Sequence, residues 1–261
     1  MTILERLIEL GASGERAVLF TVLDGHRAGA KLLALESGEM FGEAPAELAA
    51  HTRELLRRSR NRVLELAEGR VFCEVYGPPP RLAVYGAVDT AESLCRAARL
   101  LGWTTIVADA RAKFATAERI PSADELIVEW PEEAFARIAP DHATAVVVLT
   151  HDDKFDVPAL KAALASEAFY IGALGSRRNQ ERRRERLLEA GIEEDALARI
   201  VGPCGLDIGA DTQEETALSI LAEILAVRAG RSGGPLRLAK KRIHADPVSD
   251  FSPTPEVPVS D

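Results

Sequence analysis

The chain has 261 residues, 47% of them hydrophobic, which supports a buried core of ordinary size in one large or two modest domains. A net charge of −9 argues against nonspecific binding to nucleic acid or anionic lipid, and no window approaches the roughly 18 consecutive apolar residues of a membrane span. Three cysteines, Cys73, Cys95 and Cys204, widely spaced and without a CxxC pair, suggest neither a disulfide framework nor a zinc site. The N-terminus MTILERLIELGASGER reads as an acidic amphipathic helix, without the basic start and cleavage site of a signal peptide. The expected location is the reducing cytoplasm.

After this first helix, AVLFTVLDG and AKLLALESG read as two strands joined around Asp24 to Gly29 in a hairpin. The stretch from Ala44 to Ala67 has a helical pattern, with Leu48, Leu55, Leu56, Val63 and Leu66 on one face, and RVFCEVYG follows as a strand. Residues 1–79 are thus expected to form a small α+β domain. Gly77 and Pro78 to Pro80 mark its end, because prolines fix φ and remove backbone donors.

Strands then alternate with helices, which predicts a parallel sheet. The strands are RLAVYG, TTIVADA, ELIVEW, ATAVVVLT, AFYIGALG and ARIVG. Helices are expected over Ala91 to Leu101, Glu132 to Ile138, Val157 to Ala165, Arg178 to Ala190 and Glu214 to Arg228. Near-continuous apolar strands suit a sheet covered on both faces. The last helix carries a Thr212 and Glu215 capping box and stops at Gly230. The fold class read from this pattern is α/β: a Rossmann-like, doubly wound, mainly parallel sheet over residues 80–229 with the small domain in front. The proline- and serine-rich tail, residues 230–261, is expected to be disordered or loosely docked.

In open α/β sheets ligands sit beyond the carboxyl ends of the strands, so the chemistry is sought there. At the first strand Gly86 is followed by Ala87 and Val88, where a dinucleotide fingerprint wants another glycine, and by Asp89, which repels phosphate. Asp89 and Glu92 equally suit an ordinary helix N-terminus. Asp109 and Arg111 follow the second strand, at the usual place of a ribose-binding acid. His151, Asp152, Lys154 and Asp156 crowd one loop after AVVVLT. A histidine there can donate to phosphate or shuttle a proton, and a lysine can neutralise an anion; a solvated loop capping the next helix is the other reading. Gly172, Gly175, Ser176 and Arg177 lead directly into a helix, an arrangement suited to anion binding by free amides and a guanidinium. Arg182 to Arg186 interleave with glutamates as a solvated face. Gly205, Asp207 and Gly209 lie in a glycine-rich loop of the kind that meets a ligand or another backbone closely. No metal site or catalytic nucleophile is expected.

The segments LTHDDKFDVPAL, FYIGALGSRRNQERRRERL and GPCGLDIGADTQEETALSILAEILA, in this order and spacing, resemble the XdhC/CoxI family of accessory proteins for molybdenum hydroxylases such as xanthine dehydrogenase and carbon monoxide dehydrogenase. The resemblance runs from Leu82 to Arg228. It implies a protein that binds molybdenum cofactor (molybdopterin), protects it, and helps load its sulfurated form into an apo-hydroxylase. A cysteine desulfurase and a homodimer are partner arrangements consistent with that role. The family positions carried over are His151, Asp152, Lys154, Asp156, Gly172, Gly175, Ser176, Arg177, Gly205, Asp207 and Gly209. The chain departs from the family where GAGHVA is usual after the first strand. In the N-terminal domain, LDGHRAGAKLL and EMFGEAPAEL replace a serine-proline-arginine loop and a glycine-glycine-cysteine stretch. Thiol chemistry from that domain is therefore not expected, and Cys204 reads as a small buried hydrophobe or a transient sulfur carrier. Two readings compete with the maturation factor: an NAD(P)-dependent oxidoreductase, favoured by Asp109, and a degenerate, ligand-free interaction subunit.

Overall fold

The computed structural model describes residues 2–67 and 69–240. The chain divides into two compact units, one of residues up to Pro78 with the segment from Gly230, the other of Pro79–Ala229. No helix among the described residues is long and apolar enough to cross a membrane.

The first unit opens with α1 (Ile3–Ser13), whose start is fixed by a capping box. Thr2 accepts from the Glu5 amide and the Glu5 carboxylate accepts from the Thr2 amide. Five antiparallel strands follow: β1 (Ala17–Val22), β2 (Lys31–Leu35), β3 (Met40–Gly42), β4 (Arg62–Leu66) and β5 (Gly69–Tyr76), in the order β3-β2-β1-β5-β4. The period of two along β1 sends Val18 and Phe20 to one face, with Leu55 and Leu56 of α2 (Thr52–Arg58), and Ala17 and Leu19 to the other, with Leu10 of α1.

The helix expected over Ala44 to Ala67 is corrected. A 3-10 turn (Ala46–His51) runs into α2, which ends at Ser59 in the left-handed conformation (φ 48°). The strand β4 then takes up Arg62–Leu66, paired antiparallel with β5. Leu64 of β4 is buried in the core and Leu66 packs half-buried against it, whereas Val63 points away. Apolar residues in so short a run fit either period, and pairing with β5 decides the matter.

In the second unit six parallel strands, β6 (Arg81–Tyr85), β7 (Thr104–Ala108), β8 (Glu125–Ile127), β9 (Thr144–Val148), β10 (Tyr170–Ala173) and β11 (Ile200–Val201), form one sheet in the order β11-β10-β9-β6-β7-β8. The chain winds outward from β6 to β8, then returns to β9 on the other side of β6 and winds out to β11. This is the doubly wound Rossmann order, and it reverses between β6 and β9, the place where ligands bind in such sheets.

Both faces are covered. Leu82, Val84, Val107 and Val147 pack with Leu94 of α3 (Asp89–Leu100) and Ile220 and Ile224 of α8 (Gln213–Ala229). Ala83, Tyr85, Val146 and Ile171 pack on the opposite face with Phe135 of α4 (Pro131–Ile138), Leu160 of α5 (Asp153–Leu164) and Leu187 of α6 (Arg177–Glu189). A short α7 (Glu194–Leu197), not expected from the sequence, precedes β11.

Helix α5 starts four residues earlier than its apolar pattern indicates. Asp152 caps it by accepting from the Lys154 amide at 3.1 Å, so Asp153 to Asp156 form its first turn rather than a loop, and Pro158 is absorbed inside the helix. In the tail, Leu236–Leu238 form a 3-10 turn. The expectation of disorder for residues 241–261 lies outside the described residues.

Candidate functional site

The carboxyl ends of β6 and β9 are held together by backbone that only glycine allows. Gly86 sits at φ +114°, and a Cβ there would lie 2.9 Å from Thr150 Cγ2 and 3.1 Å from the Thr150 amide. From the following residue, the Ala87 amide donates to Asp109 Oδ2 at 2.9 Å. Asp109 also accepts from the Arg111 amide at 2.9 Å and from its guanidinium at 2.9 and 2.8 Å. Burial would raise the Asp109 pKa, but the Arg111 and Ala87 hydrogen bonds outweigh it and hold the carboxyl below its ordinary value. Both oxygens of Asp109 thus accept from the β6 and β7 tips, ties that weigh against the ribose-binding role expected of it.

The tips of β9 and β10 are fixed by a second buried network. Arg183 of α6 pairs with Asp156 of α5 at 2.7 Å, with side-chain exposures of 5% and 4%. The same guanidinium donates to Leu174 O at 3.0 Å and to Gln180 Oε1 at 2.6 Å, and Gln180 donates to Ala173 O at 3.1 Å. The Thr150 hydroxyl donates to the other Asp156 oxygen. Asp156 is thereby corrected from a ligand-facing acid to an internal brace.

These braces frame a cavity of about 340 Å³ at the switch point. The β6–α3 junction contributes Val88, Asp89 and Thr90; the β9 tip contributes Leu149 and His151; Leu174 follows β10, and Gln213 and Thr216 come from the first turn of α8. The Thr90 hydroxyl donates to the side-chain oxygen Oε1 of Gln213, tying the two helix starts together. At α8 a capping box is present: Thr212 accepts from the Glu215 amide, and Glu215 accepts from the Asp211 and Thr212 amides. At α3 the N-cap is Val88, which has no side-chain acceptor, and the Asp89 and Thr90 amides find no acceptor among the described residues. An uncapped helix N-terminus beside a cavity suits an anion. Asp89 opposes that charge but is paired with Arg119 at 3.1 Å.

Residues 82–224, more than half of the chain, match the family model described as the XdhC Rossmann domain. The chain belongs to the XdhC family. It is 34% identical over 170 residues to the protein YqeB of Escherichia coli K12, described as uncharacterized. It is 33% identical over 158 residues to a probable xanthine dehydrogenase component of Bacillus subtilis 168, and 31% identical over 153 residues to the molybdenum cofactor insertion chaperone PaoD of E. coli K12. These matches cover 63%, 60% and 59% of this chain but 30%, 46% and 42% of the relatives, so the chain spans less than half of each. A crystal structure described as a xanthine dehydrogenase from Bacillus halodurans superposes with a TM-score of 0.62 at 27% identity, covering 86% of this chain and 65% of that one.

Within this XdhC domain, the residues expected to bind ligand fall into separate places. His151 lines the cavity, and Leu174 brings in the loop between Gly172 and Arg177. Asp152 caps α5, and the Lys154 ammonium rests 4.7 Å from the Trp130 ring centre. A Cβ on Gly172 would meet Tyr170 Cε1 at 2.6 Å, so this glycine serves packing. Gly175, at φ +137°, and Ser176, which accepts from the Asn179 amide, open α6, whose first turn leaves Arg177 exposed. Gly205 lets its loop approach α8, where a Cβ would lie 2.5 Å from Ser219 Oγ, and its amide donates to Glu223 at 2.8 Å. Asp207 and Gly209 are exposed, and a Cβ on Gly209 would meet nothing within 4 Å. Sequence reasoning misses Thr90, Gln213 and Thr216; their only signal is position, in the first turns of the helices that follow β6 and the glycine-rich loop.

All three thiols are buried, and burial above all pushes each up to about 12; at Cys204 the Glu223 charge adds to the effect. Burial favours the protonated thiol at each, which weighs against Cys204 as a thiolate sulfur carrier. In the unfolded chain a thiol ionises near 9.0, so unfolding releases protons above that pH and these groups remove stability progressively between about 9 and 12. A thiol-reactive chromogenic disulfide at neutral pH is expected to leave the native protein essentially unmodified and to titrate all three cysteines after denaturation. For the buried brace, Arg183→Met is expected to lower unfolding free energy by about 3 to 5 kcal/mol, measured in urea, because Asp156 is left charged and unpaired. Adding Asp156→Leu should recover most of that loss.

Proposed function

We propose that this chain is an accessory protein that binds molybdenum cofactor and assists its sulfuration and insertion into a molybdenum hydroxylase such as xanthine dehydrogenase. The observation that carries the reading is the switch-point cavity with an uncapped helix start, set in an XdhC domain. The names of two relatives, an insertion chaperone and a xanthine dehydrogenase component, point the same way.

The lining fits a phosphate-bearing pterin. A cavity of about 340 Å³ falls in the size range of small-molecule sites. Val88, Leu149 and Leu174 offer apolar walls for a flat ring, and Gln213 and Thr216 offer polar partners for its edge. The phosphate is assigned to the Asp89 and Thr90 amides, with His151 beside it and Arg177 as the countercharge from the start of α6. The internal ties of Asp109 weigh against the NAD-dependent oxidoreductase reading, which needed that carboxylate for a ribose. With every thiol buried, the sulfur atom is supplied by another protein, for which a cysteine desulfurase is the chemical class. The chain's own task is holding and transfer rather than turnover.

Purification from a molybdopterin-producing host should yield protein whose oxidised extract has pterin fluorescence, and the loaded protein should activate an apo-hydroxylase. Protein without pterin and without effect on activation would overturn the proposal. Asp89→Asn should tighten cofactor binding several-fold by removing a charge near the phosphate, whereas Arg177→Ala should weaken it by roughly 1.5 to 3 kcal/mol. Isothermal titration checks both directions.

A further inference from the structure

The glycine-rich loop between β11 and α8 borders the cavity without lining it. Its start is tied to the β10 tip, where the Cys204 amide donates to Ala173 O at 3.1 Å, next to the cavity residue Leu174. Its end runs directly into Gln213, another cavity residue. On α8, Thr216 and Ser219 are three residues apart and so share a flank. The loop is pinned to Ser219, and Thr216 lines the cavity. Residues 205–212 therefore follow one rim of the mouth.

Both ends of this loop are held and its middle is free. The Gly205 amide donates to Glu223 at 2.8 Å, the Leu206 amide to Ser219 O at 3.3 Å, and the Ser219 hydroxyl to Leu206 O at 2.6 Å. At the other end the Asp211 and Thr212 amides donate to Glu215 at 2.8 and 3.0 Å. Between these anchors Asp207, Ile208, Gly209 and Ala210 make no hydrogen bond among the described residues, and all four are exposed. Segments with few buried contacts and few hydrogen bonds open at low free energy, and lids are drawn from them. Gly209 sits at φ +69° with nothing within 4 Å of a Cβ, so backbone conformation rather than space calls for glycine there. Chain steps of about 3.8 Å between successive Cα atoms let the tip swing while Leu206 and Asp211 stay anchored.

The side chain at the tip suits a contact rather than a solvated turn. Ile208 is the one large apolar residue between Leu206 and Gln213, and it is 55% exposed. A lone exposed aliphatic side chain is ordinary. This one stands on an unbonded, glycine-hinged segment at the rim of a cavity whose walls include Val88, Leu149 and Leu174. Closure would remove it from water and seal the mouth with an apolar group.

We propose that residues 207–210 are a lid, with Ile208 as its contact residue, which closes over the mouth of the occupied cavity and sets the rate at which the ligand leaves. The identity of that ligand as a pterin rests on the cofactor-binding reading above; the closure itself rests on the loop.

Hydrogen exchange is followed on the full chain purified from a host that makes molybdopterin and from one that does not. Exchange at residues 207–210 is expected to slow on the order of tenfold in the loaded protein. Release of pterin, read as fluorescence of oxidised filtrates, is expected to speed up on the order of tenfold in Ile208→Ser and to keep the native rate in Ile208→Leu. A second readout needs no ligand. The native thiols are buried, so mild oxidation of Val88→Cys/Ile208→Cys joins the two new cysteines only when their Cα atoms come within about 7 Å. Val88 lines the cavity and Ile208 does not, so the disulfide, detected by peptide mass spectrometry, records closure. Circular dichroism checks that each variant is folded. The lid is overturned if no disulfide forms, or if exchange and release in the loaded protein are indifferent to Ile208. Retained pterin with either failure sinks the lid alone, while a disulfide in protein that retains no pterin sinks the cofactor reading alone.

Discussion

A buried ion pair sets the positions on which the candidate site depends. Asp156 and Arg183 come from different helices, and between them they touch the ends of two neighbouring strands through Thr150 and Leu174. Burying two charges carries a desolvation penalty that their attraction offsets only when the remaining donors and acceptors are served. Most are: Gln180 and Leu174 take up the rest of the guanidinium apart from Nε. An apolar pair of the same volume would fill the space but could not specify which loop lies against which. The pair therefore reads as a device for position rather than for stability, holding Leu174 and the residue after Thr150, His151, at one opening.

The rest of the site follows from how a parallel sheet distributes its helix ends. Every crossover returns a helix start to the same edge, so several partial positive charges accumulate there. The chain cancels most of them locally: Asp152 caps α5, Ser176 caps α6, and Thr212 with Glu215 caps α8. Helix α3 starts from a valine and is left uncapped. Helix α4 also lacks a side-chain cap, but it follows β8 at the sheet edge, whereas the uncapped start of α3 lies at the switch point between β6 and β9, which is why anion recognition is assigned to that corner rather than to the arginine-rich start of α6 alone.

Much of the architecture was legible because buried parallel strands are nearly continuous apolar runs, and VVV in β9 or TTIVA in β7 leaves little choice. The segment from Arg62 to Leu66 was not, because its apolar residues fit a helix face as well as a strand and only pairing with β5 decides. The start of α5 was hidden by Pro158, which reads as a beginning when it is in fact interior. At the site, His151 stood out by chemistry. Thr90 and Gln213 did not, since each is an ordinary first-turn residue until the winding of the chain sets the starts of α3 and α8 side by side. Asp109 shows the converse, a residue in the expected place for a ribose ligand whose oxygens the fold itself consumes.

The charge arrangement also bears on what kind of binder this is. A storage protein gains from gripping an anion as tightly as the site allows, whereas a carrier must surrender its cargo. Asp89 stands in the first turn of the uncapped helix α3, and its partner Arg119 is shared with the Phe114 face and is itself partly exposed to solvent, so the pairing screens the carboxylate only weakly. A residual negative charge at the phosphate end sets a ceiling on affinity that the neighbouring amides cannot lift. Under the proposed carrier role, that ceiling favours release of the cargo over retention.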